Sequence, residues 1–177
     1  MEITIREIDE QSIRYVNQFD NAFTVDSHLV LTVENGNISY RIFPVEPYEK
    51  QYPVDATDYS KYVCDPDKTV FFAEVDGELA GQIRLITWWN EYAYIDDIVV
   101  EPRFRGQGVG RALIQRAIEW ANNGNFPGLM LETQNNNVRA CQLYESCGFT
   151  LGGFDKYLYK GINPATDEIA LYWYLNF

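Results

Sequence analysis

A chain of 177 residues with 46% apolar content is long enough to bury a substantial core and is most simply one domain. It has no continuous apolar run that could cross a bilayer and no charged-then-apolar leader, so it is expected to be soluble and cytoplasmic. A formal charge of −12 argues against a nucleic-acid partner and leans toward a cationic one, although an acidic surface also serves solubility alone. The cysteines Cys64, Cys141 and Cys147 show no C-x-x-C spacing and His28 is the only histidine, which gives little basis for a metal or a disulfide.

Ile3-Thr4-Ile5-Arg6-Glu7-Ile8 alternates as a half-buried strand does, and Asp9 or Ser12 can then open a helix. Two β-rich runs, Leu29 to Val33 and Ile38 to Phe43, flank Glu34-Asn35-Gly36-Asn37, whose Asn-Gly is a hairpin signal. The region about 29–63 therefore reads as an inserted hairpin and loop. Pro44, Pro47 and Pro53 imply an irregular surface segment there, and Asp58 to Val63 a short helix. Val70 to Val75, the turn Asp76-Gly77 and Leu79 to Trp89 form a second hairpin, with Tyr92 to Val100 the next strand. A helix over 108–122 sets Val109, Leu113, Ala117, Trp120 and Ala121 on one face, which is a core face. Leu129 to Gln134 is a buried strand, after which Asn135-Asn136-Asn137 can cap a helix from about Val138 to Cys147. Gly148 closes that helix with apolar Phe149 behind it. Tyr157-Leu158-Tyr159, a loop from Gly161 to Thr166 and a final strand from Glu168 to Leu175 follow. This order fits an α/β fold with a mixed, largely antiparallel sheet flanked by helices.

The most informative stretch is Val99 to Arg111, an apolar strand that breaks into Gly106, Gly108 and Gly110 and then starts a helix. Glycines let the backbone approach an anion, and the helix end offers unpaired N–H groups with no Ser, Thr, Asp or Asn beside it as a cap. Arg103, Arg105 and Arg111 crowd the same turn. The dinucleotide pattern G-x-G-x-x-G fails because Arg111 holds its third glycine position, and no Gly-Lys-Ser/Thr is present for a P-loop. What remains, Arg105-x-x-Gly108-x-Gly110, resembles the Q/R-x-x-G-x-G/A signature of the GCN5-related N-acetyltransferases, which seats the pyrophosphate of acetyl-coenzyme A. Asn137-x-x-Ala140-x-x-Leu143-Tyr144-x-x-x-Gly148-Phe149 resembles that family's second cofactor motif. The resemblance spans Ile95 to Phe149 and implies acetyl-CoA as co-substrate, without a metal. It assigns Arg105, Gly106, Gln107, Gly108, Val109, Gly110 and Arg111 to the pyrophosphate, and Ile98, Val99 and Val100 to the acetyl carbonyl and pantetheine through their amides. Asn137 would touch the pantetheine arm, its plain alternative being the helix cap, and Tyr144 would complete the set.

Acetylating an amine requires removal of a proton, because a lysine-like ammonium with a pKa of about 10.4 is charged at neutral pH. A carboxylate is the natural base, contributing about 10²- to 10⁴-fold. Glu132, mid-strand among apolar neighbours where burial raises its pKa, is the first candidate. In the ribosomal-protein branch of the family a strand glutamate and a helical tyrosine twelve residues on serve as base and acid, and Glu132 and Tyr144 match that spacing. Tyr144 can protonate the departing thiolate, or be a core tyrosine. Asp96 and Asp97 are the rival bases. Adjacent acids on a strand put one carboxylate on each face, and parity favours Asp96 unless it pairs with Arg84.

Leu131 to Asn137, Ala140-Cys141, Tyr144 to Phe149, Gly152 to Asp155, Tyr159-Lys160-Gly161 and Asp167 to Leu175 together resemble the streptothricin (nourseothricin) acetyltransferases. Those enzymes confer antibiotic resistance by acetylating an amine of the drug's β-lysine moiety. A small cationic acceptor is thus implied, with Asp96, Asp97, Asp155 and Glu168 as anionic partners. Trp88, Trp89, Tyr94, Tyr172 and Trp173 are cation–π faces or else ordinary strand aromatics. A protein N-terminal or polyamine acetyltransferase would share cofactor, base and acid. A non-catalytic acetyl-CoA-binding module would share only the turn, and retention of Glu132 and Tyr144 speaks against it. The aromatic run Tyr172 to Phe177 suggests an interface edge for a homodimer.

Overall fold

Val70-Phe71-Phe72-Ala73 is apolar at every position because both of its faces are covered. In the computed structural model, which describes residues 1–177, all four side chains are fully buried. The strands are β1 (Ile3–Glu7), β2 (Phe23–Glu34), β3 (Asn37–Lys50), β4 (Lys68–Val75), β5 (Glu78–Thr87), β6 (Ala93–Val100), β7 (Gly128–Gln134), β8 (Thr150–Asp155) and β9 (Ala170–Asn176). The helices are α1 (Val109–Asn123) and α2 (Val138–Ser146). The result is a mixed α/β fold with largely antiparallel strands. No helix is long and apolar enough to cross a membrane.

The chain divides into two compact units, one of residues 1–22, 51–129 and 177, the other of 23–50 and 130–176. In the first, antiparallel strands run in the order β1-β4-β5-β6. Asp76 and Gly77 both take positive φ, +50° and +85°, as a two-residue hairpin turn demands. Val109, Leu113, Ile114, Ala117 and Ala121 of α1 are buried, and Arg116 lies over the Phe71 ring at 4.5 Å. Ile114 thus takes the core position expected for Trp120, which instead stacks on Phe126 with ring centroids 5.0 Å apart. Val70 and Phe72 join Ile8, Val16, Phe19, Tyr59, Tyr62 and Val99 in an apolar cluster.

The helix expected after β1 does not form. Asp9 and Ser12 exchange the bonds of a cap, Ser12 N donating to Asp9 Oδ1 at 2.8 Å and Asp9 N to Ser12 Oγ at 2.8 Å, but only a 3₁₀ turn, Ile13–Tyr15, follows. Asn17 then turns to φ +60° and ends it. The short helix expected over 58–63 is likewise a 3₁₀ turn, Tyr59–Tyr62, with Asp58 as its side-chain cap.

Gly81 faces Val100 across the β5–β6 ladder, and a Cβ built on it would lie 2.4 Å from the Val99 carbonyl oxygen. Backbone cannot swing aside as a side chain can. Gly81→Ala is therefore expected to destabilise the protein by about 1–3 kcal/mol, the usual range for overpacking. Urea denaturation checks this, and an unchanged midpoint would show that the two strands can spread apart.

In the second unit β2 and β3 form a two-stranded ribbon closed by Asn35 and Gly36, at φ +49° and +78°. The ribbon is longer than the sequence pattern predicts, and Pro44 and Pro47 lie inside β3 rather than in an irregular loop. Register explains this. The pairing jumps from Val25↔Tyr48 to Ser27↔Pro44, so the prolines fall at an interruption of the ladder, where missing N–H groups do least harm.

The other strands of this unit lie in the order β7-β9-β8. The next-to-last strand is Thr150–Asp155, whereas 157–159 enters a 3₁₀ turn, Leu158–Gly161. Gly152 is the extra residue of a bulge between Leu151↔Trp173 and Gly153↔Tyr172. Because β9 lies between β7 and β8, the C-terminal aromatic run is not the edge expected of an interface. The end of α2 matches its sequence signature. Gly148 takes φ +95° and donates to Glu145 O at 3.0 Å, while Phe149 donates to Tyr144 O at 3.1 Å, a Schellman cap.

Candidate active site

The glycine turn has amides and open space that could hold an anion. Gly106 and Gly108 sit at φ +74° and +90°, which only glycine adopts readily, and Gly108 is the N-cap of α1 with no side-chain cap bond. The first bond of the helix runs from Ala112 N to Gly108 O at 3.0 Å, so the amides of Val109 and Gly110 precede its hydrogen-bond ladder. A Cβ on Gly106 would meet nothing within 4 Å, and on Gly108 only Ile3 Cδ1 at 4.0 Å. Donors, dipole and open space together fit a diphosphate.

Arg105 and Arg103, both expected to crowd that anion, are engaged by neighbouring groups. The Arg105 guanidinium donates to the carbonyls of Val100 (2.8 Å), Ala22 (2.8 Å) and Asp20 (3.2 Å), which staples the turn to the end of β6. Arg103 pairs with Glu78 at 2.7 Å. Gln107 turns its side chain back to Arg103 O at 2.8 Å, and Arg111 stands exposed on the first turn of α1.

On β6 the expected alternation of Asp96 and Asp97 breaks down. Arg84 pairs with Asp97 and Leu85 with Ile95, leaving Asp96 as the extra residue of a bulge. The parity argument for Asp96 as base falls with it. Arg84, 7% exposed, donates from Nε to Asp96 at 2.6 Å, pairs with Asp55 at 3.3 Å and bonds the Tyr59 hydroxyl. The surrounding carboxylates overcome the burial of the guanidinium and keep it a cation. Asp97 accepts from Gln82 Nε2 at 2.8 Å, and Gln82 is itself fixed by Asn17. Burial pushes the Asp97 carboxyl above its ordinary range, against the pull of the Gln82 bond and the Arg84 charge.

Glu132, on β7, presents a different environment. Its Oε1 is buried with no hydrogen-bond partner, and burial pushes its pKa up to about 7, opposed by the charge of Lys50. Lys50, the last residue of β3, donates to Gln134 Oε1 at 2.7 Å and pairs with Glu168. Glu168 also accepts from Asn136 Nδ2 at 2.9 Å. Tyr172 of β9 is raised by burial and then by the Glu132 charge. Tyr144 on α2 is 5% exposed, with its ring tilted against Phe149 and Trp173 at 6.0 and 6.4 Å.

Of the three asparagines expected to cap α2, Asn137 occupies the N-cap position but makes no side-chain cap bond. Asn135 is a tie instead. It exchanges bonds with Ile169, N to O at 3.0 Å and Oδ1 from Ile169 N at 3.0 Å, and holds Leu29 through its carbonyl (2.8 Å) and Nδ2 (3.3 Å).

The expected anionic partners of a cationic acceptor are already engaged, Asp96 by Arg84, Glu168 by Lys50, and Asp155 by the amides of Tyr157 and Leu158. Trp173 is 1% exposed and belongs to the core, Trp88 stacks on Tyr94 at 4.3 Å, and Trp89 is open to solvent. The second unit carries a groove of about 750 Å³ whose lining includes His28, Tyr48, Asn136, Phe154 and Glu168. The sequence alone does not single out Lys50, because nothing in its local sequence marks it and its partners lie more than eighty residues away.

Residues 29–149 match the acetyltransferase (GNAT) family, and the chain belongs to it. Streptothricin acetyltransferase A of Bacillus subtilis is 37% identical over 174 residues, which span 98% of this chain and 99% of that protein. A Bacillus anthracis protein solved in complex with acetyl coenzyme A is 43% identical, with a TM-score of 0.93 over 99% of this chain and all of the other. The crystal structure of a nourseothricin acetyltransferase is 33% identical, with a TM-score of 0.81 over 99% of both chains.

Proposed function

We propose that this protein transfers the acetyl group of acetyl-CoA to an amine of the β-lysine moiety of streptothricin, disarming the antibiotic in the cytoplasm. The carrying observation is the buried Glu132 Oε1 left without a hydrogen-bond partner, in a chain similar over nearly its whole length to proteins named for that drug, and burial pushing that carboxyl up to about 7 supports it. Acetyl-CoA supplies the activated thioester. The amides opening α1 hold its diphosphate, with Arg105 keeping the turn in shape. Amides of Ile98, Val99 and Val100 draw charge onto the acetyl carbonyl oxygen, and Asn137 steadies the pantetheine arm. Glu132 takes the proton of the incoming ammonium, the C–N bond forms and the C–S bond breaks, Tyr144 donates its phenolic proton to the leaving sulfur, and the second proton, shed by the acylated nitrogen, returns to the Tyr144 phenolate. The acidic surface favours approach of a polycation. Three free thiols suit a reducing compartment.

Purified protein is expected to release free thiol from acetyl-CoA with streptothricin, and to add one acetyl group to the drug by mass spectrometry. Release with spermidine or a free-N-terminal peptide alone would transfer the assignment to polyamines or protein termini. Uptake of acetyl-CoA by calorimetry without transfer to any of the three would leave a binding module and end the catalytic reading.

A further inference from the structure

The β2–β3 ribbon has no part in the chemistry above, yet it ends on a side chain that bears on the proposed base. We propose that Lys50 is a positioning residue for acetyl transfer, its ammonium clamped by Gln134 and Glu168 so that it holds the Glu132 carboxylate in its anionic, proton-accepting form. The inference rests on the reading of Glu132 as base.

Geometry carries it. Lys50 is only 17% exposed along its side chain and Glu168 27%, so the charge acts through little water. Gln134 lies two residues beyond Glu132 on the same face of β7, and the 2.7 Å bond from Lys50 Nζ to Gln134 Oε1 therefore fixes the ammonium over that face. Lys50 makes no hydrogen bond to the buried Glu132 Oε1, which leaves that oxygen for the acceptor's proton. The ionisable groups facing Glu132 are Lys50 from β3 and Tyr172 from β9. Glu168 touches Lys50 and partly offsets its charge, and Gln134 is neutral.

The attachment of the ribbon serves the same end. Leu29 is held twice by Asn135, Tyr40 donates to Glu145 at 2.6 Å, Asp26 meets Arg139 at 3.6 Å, and Asn136 donates to the Tyr48 hydroxyl at 3.3 Å. Every one of these ties runs to α2 or to the residues between β7 and α2. Phe23 pairs with Lys50 at the ribbon's open end, so its position is set from both strands.

The test follows the Glu132 carboxyl carbon by ¹³C NMR in glutamate-labelled full-length protein, its resonance assigned by its loss in Glu132→Gln, together with kcat/KM against pH. Lys50→Met is expected to move both the titration midpoint and the acid limb upward by about one pH unit, and Lys50→Arg to restore them. Glu168→Gln removes the anion that offsets the ammonium while the Gln134 bond still holds Lys50 in place, so both should move downward, a readout that survives if Lys50→Met folds poorly. A midpoint unmoved in folded Lys50→Met and Glu168→Gln would overturn the proposal, even with loss of thermal stability, since that is the signature of a merely structural ion pair. If Glu132→Gln keeps wild-type turnover, the base assignment fails and the positioning role fails with it. A dead Glu132→Gln alongside an unmoved midpoint sinks the role of Lys50 alone.

Discussion

Glu132→Gln is expected to lower kcat by about 10²- to 10⁴-fold, the usual worth of a positioned general base, while leaving acetyl-CoA affinity unchanged. The amide keeps the shape of the carboxylate but cannot take the ammonium proton. In the wild type, kcat/KM should climb as pH rises through about 7, because the base works only when ionised. Stability carries the opposite sign. A carboxyl whose folded pKa lies above its unfolded value favours the fold at low pH and loses that advantage as pH rises toward 7. The glutamine variant should consequently melt no lower than wild type at pH 8, so collapse of activity cannot be laid to misfolding. Turnover within a few-fold of wild type at pH 8 would refute the assignment.

Arg84→Met should cost about 3 kcal/mol of stability at pH 7.5, the low end for removing one partner of a buried ion pair, since Asp96 and Asp55 keep partial access to water. The variant leaves Asp96 without its 2.6 Å partner and Asp97 without a nearby cation. Asp97 is already raised by burial and will rise further, so the folded variant binds protons that the unfolded chain does not. The deficit must then grow as pH rises above the ordinary carboxylate range and shrink on acidification. Urea denaturation at pH 7.5 and 5 measures it, and a deficit equal at both would show that uncompensated carboxylates are not its source.

What could be read from residue order was whatever is decided locally. The Asp76-Gly77 hairpin, the apolar β4 run, the glycine turn and the Gly148 cap each depend on conformations that a few adjacent residues dictate. Glu132 was legible for a similar reason, as a carboxylate set in an apolar strand. Decisions made by distant partners were not legible. Asn135, Asn136 and Asn137 are locally indistinguishable, and only Leu29, Ile169 and Glu168 sort them into tie, bridge and cap position. The bulge at Asp96 leaves no trace in strand alternation, yet it overturns the parity argument for Asp96. Gly152 and Gly153 depress the strand signal of β8, whose conformation comes from pairing with β9. The bonds of Arg105 to the carbonyls of Val100, Ala22 and Asp20 were not legible either, since two of those partners lie far off in the chain.

The second unit draws on Phe23–Lys50 and Met130–Asn176, and everything from Gln51 to Leu129 is synthesised between them. On the ribosome the ribbon can therefore close early through its Asn-Gly turn, but it must wait for most of the polypeptide before its lasting neighbours emerge. Throughout that interval Val25 and Leu29, each 1% exposed in the finished fold, stand in water beside Val33 and Phe43, which never leave it. The nascent chain thus passes through a long window in which a bare, sticky hairpin invites wrong pairings, and it is there that a chaperone has most to protect.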